Sequence, residues 1–409
     1  MQLKNSNKIA LAAAGLLGAV NTAQVSAADW DHEASVLYYG ESDGRVQDGS
    51  IKYKGKRTND DDNVLTLNLG IDTLTGSSPS GIAPSGDVQV VATPSGGSTT
   101  TYQANKLTLD DTFLDTRVDL GASWDQSILD ENTRLNVGAS LSKEYDYLHL
   151  GVSGGVSREL NNNNTTLSLG LAYSADTIEA VGNTPVPLAD ISAAKGSSDE
   201  SKDTLDFVVG VTQVLSKNSI LQLNYGLTQA DGYLNDPYKR ISRVDSSGKI
   251  VQNLNESRPG DRLGHNIYGA LKHNFSDNVL STSARLHTDD FGIDSVTLDT
   301  KYNINLGNRR SIEPHIRYYH QTAADFYAPQ LDATAPIPEF ASADYRLAEF
   351  DAYTLGATYR FGGRKGREWR VTGELYSQNP KREKLTASQA GLDANPGFDA
   401  LLLSIGVKF

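Results

Sequence analysis

The sequence predicts an all-β fold: a closed antiparallel outer-membrane β-barrel of about 16 strands, with short periplasmic turns and long extracellular loops. Three observations predict this class. Apolar and polar residues alternate with period two along most of the chain, short and long connectors alternate, and the final residues read as a half-apolar strand that ends on Phe409. Such a strand can close a ring, so that no open sheet edge is left in hydrocarbon.

The beginning of the chain has the pattern of a cleaved secretory signal. Lys4 and Lys8 form a short basic region, residues 9–20 are an apolar run, and residues 25–27 (Val-Ser-Ala) are the small residues that precede a cleavage site. We therefore expect residues 1–27 to be a signal peptide, cut between Ala27 and Ala28. Residues 28–409 are expected to form a single transmembrane β-barrel domain in the bacterial outer membrane.

The composition agrees with an exported barrel and excludes several other classes. The chain has 409 residues, no cysteine and a formal net charge of −13. A protein that crosses the periplasm unfolded is well served by having no thiols. No stretch after the signal has the roughly 18 consecutive apolar residues of a membrane-spanning helix. The acidity disfavours nucleic acid as a partner. The expected partners are outer-membrane lipid, lipopolysaccharide and the barrel-assembly machinery.

The strands are recognised by an apolar face that recurs at every second residue. In one example Leu167, Leu169 and Leu171 alternate with Ser168 and Gly170. A helical period fits none of these segments. The rival all-β fold, one or two soluble sandwiches, would need apolar residues on both inner sheet faces. The clearest alternating segments are 65–71, 134–141, 167–173, 221–228, 296–306 and 400–409.

The connectors fall into two groups that alternate along the chain. One group contains only tight polar turns, whereas all the long connectors belong to the other group, as is typical of outer-membrane barrels. The longest, 74–111, is rich in Ser, Gly, Pro and Thr, and we expect it to be a large loop over the mouth or folded into it. Tight turns are predicted at 59–63, 125–132, 161–164, 216–218, 276–278, 307–310 and 362–366. Long connectors are predicted at 74–111, 176–201, 231–260, 322–345 and 379–399.

Segments of the loops and strand ends resemble a Gram-negative outer-membrane family catalogued as domain of unknown function 3570. One matching stretch is Gly-Tyr-Leu-Asn-Asp-Pro-Tyr-Lys at residues 232–239. The resemblance implies an outer-membrane barrel without established catalytic residues. It also implies a periplasmic redox setting, in which a flavin-bearing or thioredoxin-like protein would be a partner. The other matching stretches are 77–81, 109–117, 144–147, 164–167, 210–213, 258–259, 315–319, 323–327 and 342–347.

A set of charged and polar residues is predicted to line the lumen, because each lies on the polar face of its strand. Sixteen strands leave an aqueous bore rather than a packed interior. Mixed charges that project into water narrow such a bore and create a transverse field, which sorts solutes by size and charge. The alternative is that they are paired wall charges that only keep the lumen wet. The set is Asp115, Arg117, Asp119, Arg285, His287, Asp299, Lys301, Glu313, His315, Arg317, Tyr319, Glu368, Arg370 and Glu374.

Carboxylates are concentrated on the long-loop side and predict an acidic mouth. Loop carboxylates are suitable ligands for a divalent cation such as calcium or magnesium. No segment has the spacing of an EF-hand loop, and a solvated acidic surface is the alternative. No other cofactor is expected. The mouth residues are Asp110, Asp111, Glu144, Asp146, Asp231, Asp236, Asp289, Asp290 and Asp325, with Glu41, Asp43 and Asp344 nearby.

The sequence gives little support for an enzyme, and we expect no enzymatic activity. No Gly-x-Ser-x-Gly nucleophile motif occurs. The residues that a rim hydrolase would use are those of the segment His287-Thr-Asp-Asp290, and His320 with Asp325.

The preferred function is a porin-like channel for small hydrophilic solutes. The alternative is a non-channel barrel that scaffolds a periplasmic redox partner or holds a surface ligand. A lumen plugged by residues 74–111 would favour this alternative.

Overall fold

The computed structural model describes residues 30–409, except residues 60, 93–98, 107, 382–384, 386–391, 393 and 396. The signal peptide predicted at residues 1–27, and its cut before Ala28, lie outside the described residues. Within the described chain the only helical pieces are the short 3-10 turns Ser42–Gly44, Tyr345–Leu347 and Arg364–Gly366. No helix of these residues is long and apolar enough to cross a membrane.

Sixteen antiparallel strands close into one barrel, so the predicted fold class is confirmed. With strands numbered β1 to β21 in chain order, five belong to the loops: β4 (Gln89–Ala92), β5 (Thr99–Tyr102), β12 (Arg240–Val244), β13 (Ile250–Asn255) and β18 (Leu331–Asp332). The barrel strands are β1 (Trp30–Glu41), β2 (Gln47–Thr58), β3 (Val64–Pro79), β6 (Leu109–Ile128), β7 (Asp130–Lys143), β8 (Tyr147–Leu160), β9 (Thr165–Ile178), β10 (Glu200–Ser216), β11 (Ser219–Gly232), β14 (Asp261–Phe275), β15 (Asn278–Asp289), β16 (Asp294–Gly307), β17 (Arg310–Gln321), β19 (Phe350–Gly362), β20 (Glu368–Pro380) and β21 (Phe398–Lys408).

The last strand closes the ring by pairing with the first. Val36 on β1 is opposite Ile405 on β21 in an antiparallel register. At the end of the seam, the Phe409 amide donates to the His32 carbonyl at 2.9 Å, and the His32 amide donates back at 3.0 Å. The Phe409 ring also stacks on the His32 ring, with centroids 5.3 Å apart. The ring therefore has no free sheet edge.

The two faces of the barrel wall differ as the alternation predicts. On β9, Leu167, Leu169 and Leu171 point outward and are 48%, 52% and 54% exposed. Large apolar side chains exposed to this extent all around a barrel require lipid rather than water on the outside. Ser168 and Gly170 point into the bore. The cross-strand registers keep inner residues opposite inner residues around the whole ring.

The short turns, the start of β1 at Trp30 and the last residue, Phe409, lie at one end of the barrel, and the long connectors join the strands at the other end. One predicted turn is wrong in extent. Instead of a turn over 125–132, β6 continues to Ile128, β7 begins at Asp130, and only Leu129 lies between them. Asp125 is an inner-face strand residue that pairs with Arg134. Its polarity reflects the wet bore and not a turn.

Four extracellular connectors pack together into a folded cap, which comprises the described residues of 80–108, 179–199, 233–260 and 322–349. Its framework is the three-stranded sheet β13–β12–β18 with the β4–β5 hairpin beside it. Ile241 and Leu254 are fully buried in the cap. The Ala83 amide donates to Ser242 Oγ at 2.9 Å and ties two of the connectors together. The predicted loop 74–111 is thus shorter than expected and is a structured part of this cap.

Candidate functional site

All fourteen residues predicted for the lumen lie on strands at inner-face positions, opposite the exposed apolar face. Leu298 and Ile316, which are 49% and 58% exposed, mark the outer face of β16 and β17. Asp299 and Arg317 therefore project inward. Whether the lumen residues select solutes is a separate question that stays a prediction.

Four of these residues form one cluster on the wall. His315 is buried, and its Nε2 and Nδ1 atoms lie 2.8 Å from Asp299 Oδ2 and 2.8 Å from Glu374 Oε1. Arg317 Nε donates to the same Asp299 oxygen at 2.7 Å. Gly356 lies between His315 and Glu374, and a Cβ there would meet Glu374 Cγ at 2.6 Å. The glycine therefore provides the space for the contact across strand β19.

The remaining lumen residues are spread around the wall. Arg117 donates to Asp72 at 2.7 Å, Arg360 binds Glu313 at 3.0 Å, and Arg370 binds Glu33 at 2.8 Å. Arg285 instead lies over the Tyr268 ring, 5.8 Å from its centroid. In the described residues, Asp119, Lys301 and Glu368 belong to no ion pair within 4.0 Å, whereas Tyr319 bonds Gln321 and His287 bonds Asp289.

The predicted mouth carboxylates have different roles. Asp289 is buried and accepts from the Phe291 and Ile293 amides at 3.1 and 3.0 Å, as well as from Arg262. It therefore stabilises a turn. Asp231 lies at the extracellular end of β11 on the outer face, since Tyr225, six residues earlier on the same strand, faces outward. Asp290 accepts a hydrogen bond from the Leu263 amide. Asp325 is exposed beside Gly292. The side chains of Asp110 and Asp111 lie outside the described residues.

Asp115, Glu144 and Asp146 are the acidic group in the described chain that could hold a metal, because their oxygens lie within 4.8 Å of one another. Burial, together with the hydrogen bond to Asp115, raises the pKa of Glu144 to about 7. Arg117 lies 3.9 Å from Glu144. Oxygen donors suit a hard divalent cation, but a shared proton and an arginine compete for the same atoms. The divalent cation at the mouth stays a prediction, now narrowed to these three residues.

In the cap, five charged side chains from two connectors form a network in which Glu256, Arg258 and Asp344 are largely buried and Arg346 is exposed. Arg258 lies 2.7 Å from Glu256 Oε1 and 2.7 Å from Asp344 Oδ2. Arg346 joins Asp344 to Asp236. Burial alone raises the pKa of the Asp344 carboxyl, but the ion pair with Arg346 outweighs burial and holds that pKa well below its usual range. The network therefore joins the 233–260 and 322–349 connectors electrostatically.

A cavity of about 760 Å³ lies between the cap and the barrel wall. The cap contributes both acidic and basic residues to the lining of this cavity. The Tyr238 hydroxyl, on the cap, donates a hydrogen bond to Asp146 on the wall side. A solute that passes between the mouth and the bore would meet this mixed-charge chamber. Its wall residues include Asp115, Arg117, Glu144, Tyr147 and Lys202, and its cap residues include Asp236, Tyr238, Arg258 and Arg346.

The floor of this cavity contains polar residues that the sequence analysis did not single out. Asp176 is buried and accepts from Tyr147 Oη at 2.5 Å, from His149 Nδ1 at 2.7 Å and from Lys202 Nζ at 2.9 Å. Strand parity could have placed each of these residues on the inner face. The pairing of β8, β9 and β10 that brings them together depends on register, which a single sequence does not specify.

One predicted acid–histidine pair is wrong. His320 does not face Asp325. Its Nδ1 atom lies 3.1 Å from Asp351 Oδ1 on the outer face, where Tyr318 also donates to the same oxygen at 2.7 Å. His287 contacts Asp289 and Asn266, at 3.0 and 3.2 Å. The rim hydrolase built on these histidines thus lacks the predicted His320–Asp325 geometry.

Several solved structures are similar to this chain at low sequence identity. CdiB from Acinetobacter baumannii is 10% identical with a TM-score of 0.45, and the match covers 93% of this chain and 60% of CdiB. A mutant ferric enterobactin receptor from Pseudomonas aeruginosa is 10% identical with a TM-score of 0.42, covering 88% of this chain and 55% of the receptor. The outer membrane protein opdK from Pseudomonas aeruginosa is 9% identical with a TM-score of 0.39, covering 93% and 98%. The chain spans less than two thirds of the first two proteins.

Among curated proteins the comparison found no match. A family model does match, and it covers residues 6–409, which is nearly the whole sequence. This agrees with the resemblance of the loop and strand-end segments. The chain therefore belongs to the family described as protein of unknown function DUF3570.

Proposed function

We propose that this barrel is a porin-like channel of the outer membrane that conducts small hydrophilic solutes. The observation that carries the proposal is the inner wall of β7 to β11. From 136–142 on β7 to 222–230 on β11, its inner positions are mainly Gly, Ser, Thr and Asn. Side chains this small leave the bore open along one side, and a sixteen-stranded ring is wide enough for an aqueous channel.

The opposite wall supplies the charge. The His315 cluster and Arg360 with Glu313 project from β16 to β20, across the bore from the small-residue wall, whereas Arg117 with Asp72 projects from β6 and β3 beside that wall. A permeating ion would therefore pass between a wall of mainly small uncharged side chains and a more strongly charged wall. Such a field sorts solutes by charge and orientation, while the gap sorts them by size.

The cap would act as the restriction at the outer end. Its buried charges join connectors from two parts of the chain, so it is held as a unit rather than as separate loops. Solutes would enter the cavity beneath it before they reach the bore. Because carboxylates and cationic side chains both line this cavity, it would sort solutes by how their charges are arranged.

Single-channel recording in planar bilayers tests the proposal. The purified wild-type protein should show discrete conductance steps, and Arg317→Ala should shift its ion selectivity toward cations, because it removes a lumen charge that is 47% exposed. Leu298→Ala, on the outer face of the neighbouring strand, is the matched control and should leave selectivity unchanged. A correctly folded barrel that never conducts would contradict the proposal.

A second candidate function is a barrel that holds a ligand at its outer mouth without conducting it. The observation that favours it is the apolar core of the cap around Ile241 and Leu254. Because of this core, the cap is a folded structure and not a set of separate flexible loops. A non-conducting barrel with an intact cap would support this candidate. The periplasmic redox partner also stays a proposal, and a stoichiometric flavin-bearing or thioredoxin-like protein in a pull-down would support it.

Export is a further part of the proposal. We propose cleavage between Ala27 and Ala28 during secretion, and N-terminal sequencing of the protein from isolated outer membranes should begin at Ala28.

A further inference from the structure

Three inner-wall side chains on neighbouring strands form a continuous hydrogen-bonded chain. Ser140 Oγ on β7 lies 3.1 Å from His149 Nε2 on β8. His149 Nδ1 lies 2.7 Å from Asp176 Oδ1 on β9. His149 and Asp176 are direct cross-strand partners, and Ser140 is diagonal to His149. A hydroxyl, an imidazole and a carboxylate in this order and at these distances are the arrangement of a serine nucleophile with its base.

The partners fix the direction of each hydrogen bond. Asp176 also accepts from Tyr147 and Lys202, which stabilises its ionised form, and an ionised carboxylate can only accept. His149 Nδ1 must therefore donate to Asp176. In a neutral imidazole the other nitrogen then accepts, so Ser140 donates its hydroxyl hydrogen to His149 Nε2. This is the tautomer that a general base requires.

Burial increases from Ser140 through His149 to Asp176, which is the order that catalysis needs. Ser140 is exposed to the bore, the His149 side chain is 29% exposed, and the Asp176 side chain is 4% exposed. The group that would touch a substrate is thus accessible, and the group that orients the imidazole is rigidly held. Tyr147 and Lys202, which hold Asp176, also line the cavity beneath the cap.

Two inner-face glycines leave space beside the serine. Ser140 lies between Gly121 on β6 and Gly151 on β8 in the cross-strand register. A Cβ at Gly151 would lie 2.5 Å from Ser140 Oγ and 3.0 Å from His149 Nε2, so the Ser–His contact needs glycine at this position. Asn68 Nδ2, which is 3.5 Å from the position of a Cβ at Gly121, is an amide donor on the same row.

We propose that Ser140 is a nucleophile toward carboxylic esters that enter the lumen, with His149 as its general base and Asp176 as a positioning residue. Ser140 Oγ would attack the ester carbonyl carbon while His149 takes the hydroxyl proton, and the Asn68 amide would donate to the carbonyl oxygen as it becomes negative. The C–O bond to the alcohol then breaks, and His149 returns the proton to the leaving alkoxide. A water molecule, activated by His149, hydrolyses the acyl-serine and restores the hydroxyl.

This inference goes beyond the channel proposal and departs from the sequence-based expectation of no enzymatic activity. The plainer explanation is that the three residues are only polar side chains that hydrogen-bond across strands on the water-facing wall. The chain offers an internal comparison. Ser219 Oγ lies 2.7 Å from His273 Nδ1, and no carboxylate among the described residues bonds that histidine. A Ser–His contact without the acid should not activate the serine, so Ser219 is the matched control.

Labelling with a fluorophosphonate probe tests the proposal on the full-length barrel folded in detergent. The probe should form a covalent adduct at Ser140, located by peptide mass spectrometry. Ser140→Ala should abolish the adduct and Ser219→Ala should not affect it. His149→Gln should slow labelling about a hundredfold or more, which is the usual contribution of a general base. Hydrolysis of p-nitrophenyl acetate should follow the same order among the variants.

Gly151→Ala provides a second test that keeps all three polar residues. The new methyl group should displace the Ser140 hydroxyl and reduce labelling, whereas Gly154→Ala, where a Cβ meets nothing within 4 Å, should not. Heat-modifiable migration on gels shows that each variant is folded. No adduct at Ser140 in the folded wild type, or equal labelling in His149→Gln, would overturn the proposal. Because labelling needs no ion flow, these outcomes are independent of whether the barrel conducts.

Discussion

Replacement of Arg258 by methionine is expected to open the cap without unfolding the barrel. The Arg258 side chain is only 12% exposed, and it lies between Glu256 and Asp344, whose side chains are 1% and 0% exposed. Methionine keeps an unbranched apolar stem of similar length but removes the charge. The two carboxylates then lose their shared cation. Asp344 still has Arg346 as a partner, whereas Glu256 has no other cation within 4.0 Å among the described residues.

The expected magnitude follows from that geometry. Breaking a buried ion pair from one side costs about 3–5 kcal/mol, because a desolvated charge is left without its partner. With about 1.4 kcal/mol per factor of ten, the equilibrium between closed and open cap should shift by roughly two to three and a half orders of magnitude. Protonation of Glu256, whose pKa burial already raises, would recover part of this cost.

Hydrogen exchange followed by mass spectrometry measures the effect where it should appear. The amides of β12, including those of the fully buried Ile241 and Ser242, should lose protection by about the same factor, while the β9 amides should keep theirs. Arg285→Met is the matched control, because Arg285 faces the bore and makes no ion pair within the described residues. Unchanged exchange in β12 of the Arg258 variant would refute the reasoning that the network holds the cap.

Three further predictions concern other parts of the molecule. Glu144 has a pKa of about 7, so it is neutral below that pH and negative above it. The cation preference, measured from reversal potentials, should therefore rise between pH 6 and pH 8. In Glu144→Gln the preference should not change over this range. Leu169→Arg, on the lipid face, should lower the free energy of unfolding in lipid vesicles by about 2–4 kcal/mol, whereas Ser168→Arg on the bore side should cost much less. Leu129 has a φ of 62°, and Leu129→Gly should raise the free energy of unfolding by about 1 kcal/mol in denaturant titrations, because glycine adopts this conformation without strain. The Glu144 argument would be contradicted by a wild-type cation preference that does not change with pH. Equal free-energy costs for Leu169→Arg and Ser168→Arg would contradict the assignment of the two faces. A less stable Leu129→Gly variant would contradict the argument from backbone strain.

The barrel could be predicted from the sequence because its signal is local. Residues such as Leu167, Leu169 and Leu171 repeat at the period of a strand, and the ring then follows from the need to pair every edge in lipid. Polarity alone does not separate a strand from a turn at Asp125, which lies on the water-facing side of β6 although its sequence context predicts a turn.

The cap could not be predicted in the same way. The sequence of β12, Arg240–Val244, is a short segment within a long connector, and it becomes a strand because β13 and β18 pair with it. The Ser140–His149–Asp176 chain was missed for a related reason. Each residue is an ordinary polar residue on its own strand, and only the register of three strands brings them within hydrogen-bonding distance.

Cysteine accessibility along β9 tests the central claim most directly, because the native chain has no cysteine to interfere. Single cysteines at residues 166 to 171 would be exposed in intact membranes to a charged, water-soluble thiol reagent. If the even residues face an aqueous bore and the odd residues face lipid, the reagent should react fast at 166, 168 and 170. It should react little at 167, 169 and 171. Uniform reaction at all six positions, or reaction at the odd positions alone, would contradict the account.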